Sequence, residues 1–189
     1  MELVARLASG NPHKLKELRR ALRGWTVELL GVDSFPPEVG ETHYENARGK
    51  ALFGREVGDP GAWMLGEDSG LAVEALGGRP GLHSARWAGD DDPLDRLLAE
   101  LEGVRNRSAR YLCELVAISP EGREVRATGT LEGRIAEERR GSEGFGYDPI
   151  FVPDGEERTV AELGDAWKSE HSHRARAARA LAERLADSG

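Results

Sequence analysis

The sequence predicts an α/β fold built on a mixed β-sheet, and three observations carry that expectation. In the first half, short apolar runs alternate with stretches whose apolar residues recur at helical spacing. In the second half, two long alternating runs, Ala109–Ser119 and Arg123–Ile135, bracket Pro120-Glu121-Gly122 as an antiparallel pair of strands would. The length of 189 residues suits a single domain spanning 1–189.

Leu3-Val4-Ala5-Arg6-Leu7-Ala8 reads as the first strand, with Arg6 interrupting it. Ser9-Gly10-Asn11-Pro12 turns into a helix through about Leu22, because proline suits a first helical turn and Leu15, Leu18 and Leu22 form one stripe. Trp25–Leu30 is a second strand, followed by a loop of glycine, proline and acids to Gly40. Thr42-His43-Tyr44-Glu45 has the pattern of a capping box and opens a helix through Asn46, Lys50 and Phe53. After Gly58-Asp59-Pro60-Gly61 the sequence predicts a strand ending at Gly66-Glu67-Asp68-Ser69-Gly70, then a second apolar run, Leu71–Leu76. Gly77–Asp92 reads as a long polar loop and Leu94–Leu101 as a helix. Beyond the antiparallel pair, Gly144–Pro149 leads into a short strand at Phe151-Val152. Lys168–Arg174 precedes a closing amphipathic helix, Ala175–Leu185.

Composition narrows the function. A net charge of −8 argues against a protein that coats nucleic-acid backbone, yet permits a small anionic ligand in a local positive pocket. Cys113 is the only cysteine, so no disulfide forms within the chain, and its alternating surroundings make it a buried small hydrophobe. Neither a signal-peptide core nor a membrane-length apolar run is present, and the expected location is cytoplasmic with no membrane partner. Of 26 basic residues 22 are Arg, so the four lysines stand out, and Lys14, Lys50 and Lys168 each fall within a dense polar motif.

Four motifs carry chemistry. Ser9-Gly10-Asn11-Pro12-His13-Lys14 stands where a strand hands over to a helix N-terminus, a place that favours phosphate. The plainer alternative is a turn capped by Asn11. Glu67-Asp68-Ser69 sets two carboxylates side by side, which repel unless a cation or proton offsets them. Mg²⁺ suits such hard oxygen ligands, with Glu38 or Glu41 as a further acid. An acidic surface turn is the alternative. Gly144-Phe145-Gly146-Tyr147-Asp148-Pro149 combines close backbone approach, two aromatic faces and an acceptor, a set that fits a flat base. Lys168, His173 and Arg174 suit phosphate or base recognition better than His171 and His173 suit zinc.

Taken in order, Ser9-Gly10-Asn11…Lys14, Glu45-Asn46-Ala47, Glu67–Leu71, Pro80-Gly81…Ser84-Ala85-Arg86, Gly144–Pro149 and Ser172-His173-Arg174 closely resemble the inosine triphosphate pyrophosphatase family, including its bacterial XTP/dITP diphosphatases. The resemblance spans residue 3 to about 185. It implies an elongated mixed sheet with helices forming two lobes around a central cleft, and a homodimeric, Mg²⁺-dependent enzyme. The implied reaction converts ITP, dITP and XTP to monophosphate and pyrophosphate, with no nucleic-acid polymer as partner. By motif, Ser9, Gly10, Asn11, Pro12, His13 and Lys14 would hold phosphates, and Asp68 would be the catalytic carboxylate that accepts the proton. Glu38, Glu67 and Asp68 would hold metal. Lys50, Ser69, Phe145, Gly146, Tyr147, Asp148, Lys168, His173 and Arg174 would contact substrate. The chain departs from the pattern in three places: Glu67 where aspartate is common, His43 where an aromatic commonly follows the threonine, and Trp87 in place of tyrosine.

Overall fold

A computed structural model describes residues 3–187. Six strands form one sheet in the order β2-β1-β3-β4-β5-β6, comprising β1 (Leu3–Leu7), β2 (Trp25–Leu29), β3 (Trp63–Val73), β4 (Ser108–Ile118), β5 (Glu124–Ile135) and β6 (Phe151–Pro153). β1 runs parallel to both β2 and β3, with Ala5 opposite Val27 and Trp63. β6 runs antiparallel to β5, pairing Phe151 with Ile135. The sheet is therefore mixed, as the sequence predicts. Five α-helices accompany it: α1 (Pro12–Ala21), α2 (His43–Val57), α3 (Pro93–Glu100), α4 (Val160–His171) and α5 (His173–Ala186).

Local chemistry accounts for most of these boundaries. Asn11 caps α1 by accepting from the backbone N–H groups of His13 and Lys14, with Pro12 at the first position. Thr42 and Glu45 form a reciprocal capping box on α2, as the sequence predicts. Thr159 and Glu162 do the same for α4, which the sequence reading omits. Gly164 interrupts α4 with φ 82°, so no continuous apolar stripe marks it as a helix. A further difference concerns β3. The reading ends a strand at Gly66–Gly70, whereas the strand runs unbroken through the acidic motif to Val73. Adjacent acids between glycines look like a turn, but here all but Trp63, Ser69 and Ala72 are buried, so the alternation that exposes one strand face never develops.

The chain divides into two compact units. The first takes the described parts of 1–68, 113–129 and 173–189, the second 69–112 and 130–172. The core of the first joins Ala5, Leu7, Leu15, Leu18, Leu22, Val27, Leu65, Leu115 and Leu181. A smaller cluster under α2 joins Ala47 and Ala51 to Val116 and Ile118. The second unit packs Leu71, Val73, Leu94, Leu97, Tyr111, Leu131, Ile135, Tyr147, Ile150 and Phe151. Tyr111 and Phe151 meet with ring centroids 4.5 Å apart.

Glycines let two helices of the first unit approach the sheet closely. A Cβ on Gly66 would lie 1.9 Å from the Ala47 carbonyl oxygen of α2, and one on Gly129 would lie 2.0 Å from the His173 carbonyl of α5. Gly66→Ala therefore forces backbone apart rather than a flexible side chain. It is expected to lower unfolding stability by about 3 kcal/mol, read by denaturant titration. Gly122→Ala, where nothing lies within 4 Å, retains space for the methyl and reports only the cost of its positive φ.

Candidate active site

β3 passes Glu67 and Asp68 to opposite faces, and the first unit builds a different environment for each. Glu67 is fully buried. Its Oε1 accepts from Arg174 Nε at 3.1 Å and Nη2 at 2.8 Å, while Lys14 Nζ lies 2.6 Å from Oε2. The third guanidinium nitrogen of Arg174, Nη1, donates to Glu17 Oε2 at 2.6 Å. Burial pushes the Glu67 carboxyl up, but Arg174, Lys14 and Lys50 together outweigh it and hold it well below the usual carboxylate range. Burial likewise opposes charge on Arg174, while Glu67 and Glu17 raise it further above its ordinary value. Two acids and two cations thus form a chain linking α1, β3 and α5. The buried Cys113 thiol, 3.5 Å from Glu67 Oε1, is pushed well up by desolvation and by Glu67.

Asp68 faces a second group. Lys50 Nζ donates to Asp68 Oδ1 at 2.9 Å and to the Glu67 carbonyl at 3.1 Å, and pairs with Glu38 Oε1 at 2.6 Å. His43 Nδ1 lies 2.6 Å from Asp68 Oδ2. Desolvation opposes charge on Lys50, yet Asp68 and Glu38 hold its ammonium above the ordinary lysine value. The loop that brings in Glu38 is fixed by the start of α2, since Gly40 N–H donates to Asn46 Oδ1 and Glu41 N–H to Glu45 Oε2. Gly40 has no room for a Cβ, which would meet Asn46 Oδ1 at 2.6 Å.

Within the second unit Asp148 is the hub. Buried, it accepts from Lys168 Nζ at 2.6 Å, from the Phe145 backbone N–H at 2.8 Å and from the Tyr111 hydroxyl at 3.3 Å. The Lys168 ammonium also sits 4.6 Å from the centre of the half-buried Phe145 ring. Tyr147 is buried and its hydroxyl donates to the Ser84 carbonyl at 3.0 Å; burial, opposed by Arg96, pushes its phenol up to about 12. Gly144 leaves no space beside Asp148, a Cβ there meeting Oδ2 at 2.2 Å.

Several sequence readings change in light of this geometry. Asn11 Oδ1 takes the His13 and Lys14 N–H groups, and Ser9 Oγ takes that of Asn11, so the phosphate motif is also a capped turn. Asp148 already accepts from three donors of its own unit. Only Phe145, not Tyr147, offers an accessible aromatic surface. Arg174 is engaged with Glu67 and Glu17. His173 and Arg174 lie inside α5 and Lys168 inside α4, not in a turn before the last helix. The sequence assigns no site role to Glu17, His43 or Tyr111. Glu17 neighbours the Leu15–Leu18 stripe, and that position is the one available signal; nothing in the sequence links His43 to a residue 25 positions on.

Similarity to known proteins bears directly on this arrangement. The model of the Ham1 family matches residues 5–184. The chain belongs to the Ham1 family. A dITP/XTP pyrophosphatase of Gloeobacter violaceus is 46% identical, covering 93% of this chain and 90% of that protein. One of Bacillus subtilis is 42% identical, covering 95% of each. Among solved structures, the Staphylococcus aureus Ham1 protein superposes with a TM-score of 0.85 at 32% identity, covering 98% of this chain and 100% of that one. A dITP/XTP pyrophosphatase from Mycobacterium abscessus gives 0.73 at 41% identity, covering 97% and 99%. The family resemblance read from the six motifs and the mixed α/β fold are both borne out.

The buried charge chain has a pH signature. Because the folded Glu67 carboxyl is held below its unfolded value of 4.5, its contribution is present above about pH 4.5 and is lost as pH falls toward the folded value. Glu67→Gln should therefore unfold with a shallower pH dependence below 4.5. At neutral pH the same variant should be less stable by about 3–5 kcal/mol, since Arg174 loses a buried partner. Urea melts at pH 7 and at successive steps below 4.5 check both outcomes.

Proposed function

We propose that this chain hydrolyses dITP, XTP and ITP to the nucleoside monophosphate and pyrophosphate, removing deaminated purines from the nucleotide pool. Membership of the Ham1 family and relatives named dITP/XTP pyrophosphatases, 42–46% identical across nearly the whole chain, support it. The observation that carries the chemistry is the pairing of Asp68 and Glu38 about one ammonium. Two carboxylates that converge on a cation are a donor set of the kind Mg²⁺ uses together with substrate phosphates and water.

Asp68 and Glu38 are accordingly the residues that would hold Mg²⁺. Glu67, whose two oxygens face Arg174 and Lys14, is left out of the set. Bound there, the ion would neutralise triphosphate charge and make water easier to deprotonate. Asp68 serves as proton acceptor for the attacking water: Lys50 and His43 engage one lone pair on each oxygen, and the carboxylate keeps further acceptor capacity. Lys14 and Lys50, both only partly exposed, supply positive charge to the phosphates, with Gly10 permitting close approach of backbone. In the second unit Phe145 offers a ring face to the purine, with Ser69, Gly146 and Lys168 as polar contacts. Asp148 keeps Lys168 and the Phe145 backbone in place. Stacking holds any purine, so selection rests on donors to the six-oxo group that adenine would leave unpaired; in the second unit the backbone near Gly146 fills that role. The working form is a homodimer in the cytoplasm; among the described residues no helix is long and apolar enough to cross a membrane.

A nucleotide panel with products resolved tests this reading. We expect dITP, XTP and ITP to yield pyrophosphate with kcat/KM at least ~100-fold above ATP, and chelation of divalent metal to abolish turnover. Orthophosphate as the product, or ATP cleaved as efficiently as dITP, would overturn it.

Asp68→Asn keeps the size of the side chain while removing its charge and basicity. Turnover under saturating Mg²⁺ should fall by at least ~100-fold, with the fold retained by circular dichroism. Near-normal turnover would remove Asp68 from the mechanism.

A further inference from the structure

His43 belongs to none of the roles assigned above, yet its imidazole lies 2.6 Å from Asp68 Oδ2. Side-chain exposure is 13% for His43 and 7% for Asp68, so the contact is made almost out of water. In that setting a hydrogen bond is stronger than at the surface. The position of the ring follows from the fold. His43 is the first residue of α2, whose start is fixed by the Thr42–Glu45 capping box. α2 in turn is held against β3 by the absence of a side chain at Gly66, the residue two before Asp68.

We propose that His43 is a positioning residue for Asp68, its Nδ1–H donating to Oδ2 and fixing the plane of the carboxylate. The proposal rests on the reading of Asp68 as proton acceptor. The terminal torsion of an aspartate is broad and nearly two-fold, so one anchor leaves the carboxylate hinged about its Cβ–Cγ bond. Lys50 anchors Oδ1 at 2.9 Å; His43 anchors the other oxygen. With both in place the unused lone pairs point in fixed directions, as proton transfer requires. The donor requirement sets the tautomer. An ionised carboxylate only accepts, so the proton of a neutral His43 ring must reside on Nδ1.

Two measurements test this, one of them independent of turnover. In the metal-free protein with ¹⁵N-labelled histidine, the His43 signals, assigned by their loss in His43→Asn, should show a protonated Nδ1 and an unprotonated Nε2 at pH 8. In kinetics, His43→Leu should lower kcat by about 10- to 100-fold while KM stays within about two-fold, because orientation and not binding is lost. His43→Asn, whose side-chain N–H can occupy the place of Nδ1–H, should recover kcat to within about three-fold of the parent. The Nε2–H tautomer, an unchanged kcat in His43→Leu, or equal impairment in both variants would each overturn the proposal. If Asp68→Asn is active, the role of Asp68 fails whatever the tautomer of His43. If Asp68→Asn is dead and the His43 results are negative, only the positioning role fails.

Discussion

Glu67 sits at the centre of β3 with no solvent to stabilise its charge, and the first unit is arranged around meeting that demand. Arg174 donates twice to one oxygen and Lys14 faces the other, while Glu17 takes the remaining arm of Arg174. An unpaired charge at this depth would cost several kcal/mol, so helices α1 and α5 are constrained to deliver their cations to a strand between them in sequence. This chain of charges also explains why Arg174, fully buried, is shared between two acids of its own unit. Its long apolar stem and planar fork suit the task in a way a lysine would not.

The neighbouring residue on the strand depends on the same frame. Asp68 points away from Glu67, toward α2, and meets Lys50 and His43. Its surroundings differ in kind: Glu67 is fully buried between Arg174 and Lys14, whereas Asp68 shares a single ammonium with Glu38. Two adjacent carboxylates therefore stand in different surroundings, one among the cations of α1 and α5, the other beside Lys50 and His43 of α2. This arrangement requires close approach of helix backbone to strand, which the missing side chains at Gly66 and Gly129 permit.

In the second unit Asp148 repeats the logic on a smaller scale. Three donors from β4, the glycine-rich turn and α4 converge on one buried carboxylate, and Lys168 is held both by that charge and by the Phe145 ring. A second tie joins the same turn to α4, where Glu143 accepts from the Asp165 N–H beside the kink at Gly164. The aromatic motif is thereby tied to its neighbours and leads directly into a short 3-10 helix at Asp148–Ile150.

Local sequence determined the elements whose signals are local. The capping box at Thr42–Glu45, Pro12 after Asn11 and the turn at Pro120-Glu121-Gly122 each act within a few residues, and each boundary they predict lies within two residues of the observed one. The order of six motifs likewise made the family legible. Tertiary structure alone decided what surrounds each acid. Glu67 and Asp68 are indistinguishable as neighbours in a sequence, and the difference arises because a strand sends consecutive side chains to opposite faces. One face meets Arg174, more than a hundred residues on, and the other meets Lys50 and His43 on the preceding helix. The same holds for β3 itself, read as ending at its glycines: Gly66 interrupts nothing, because its purpose is to make room for a helix that the local sequence cannot see.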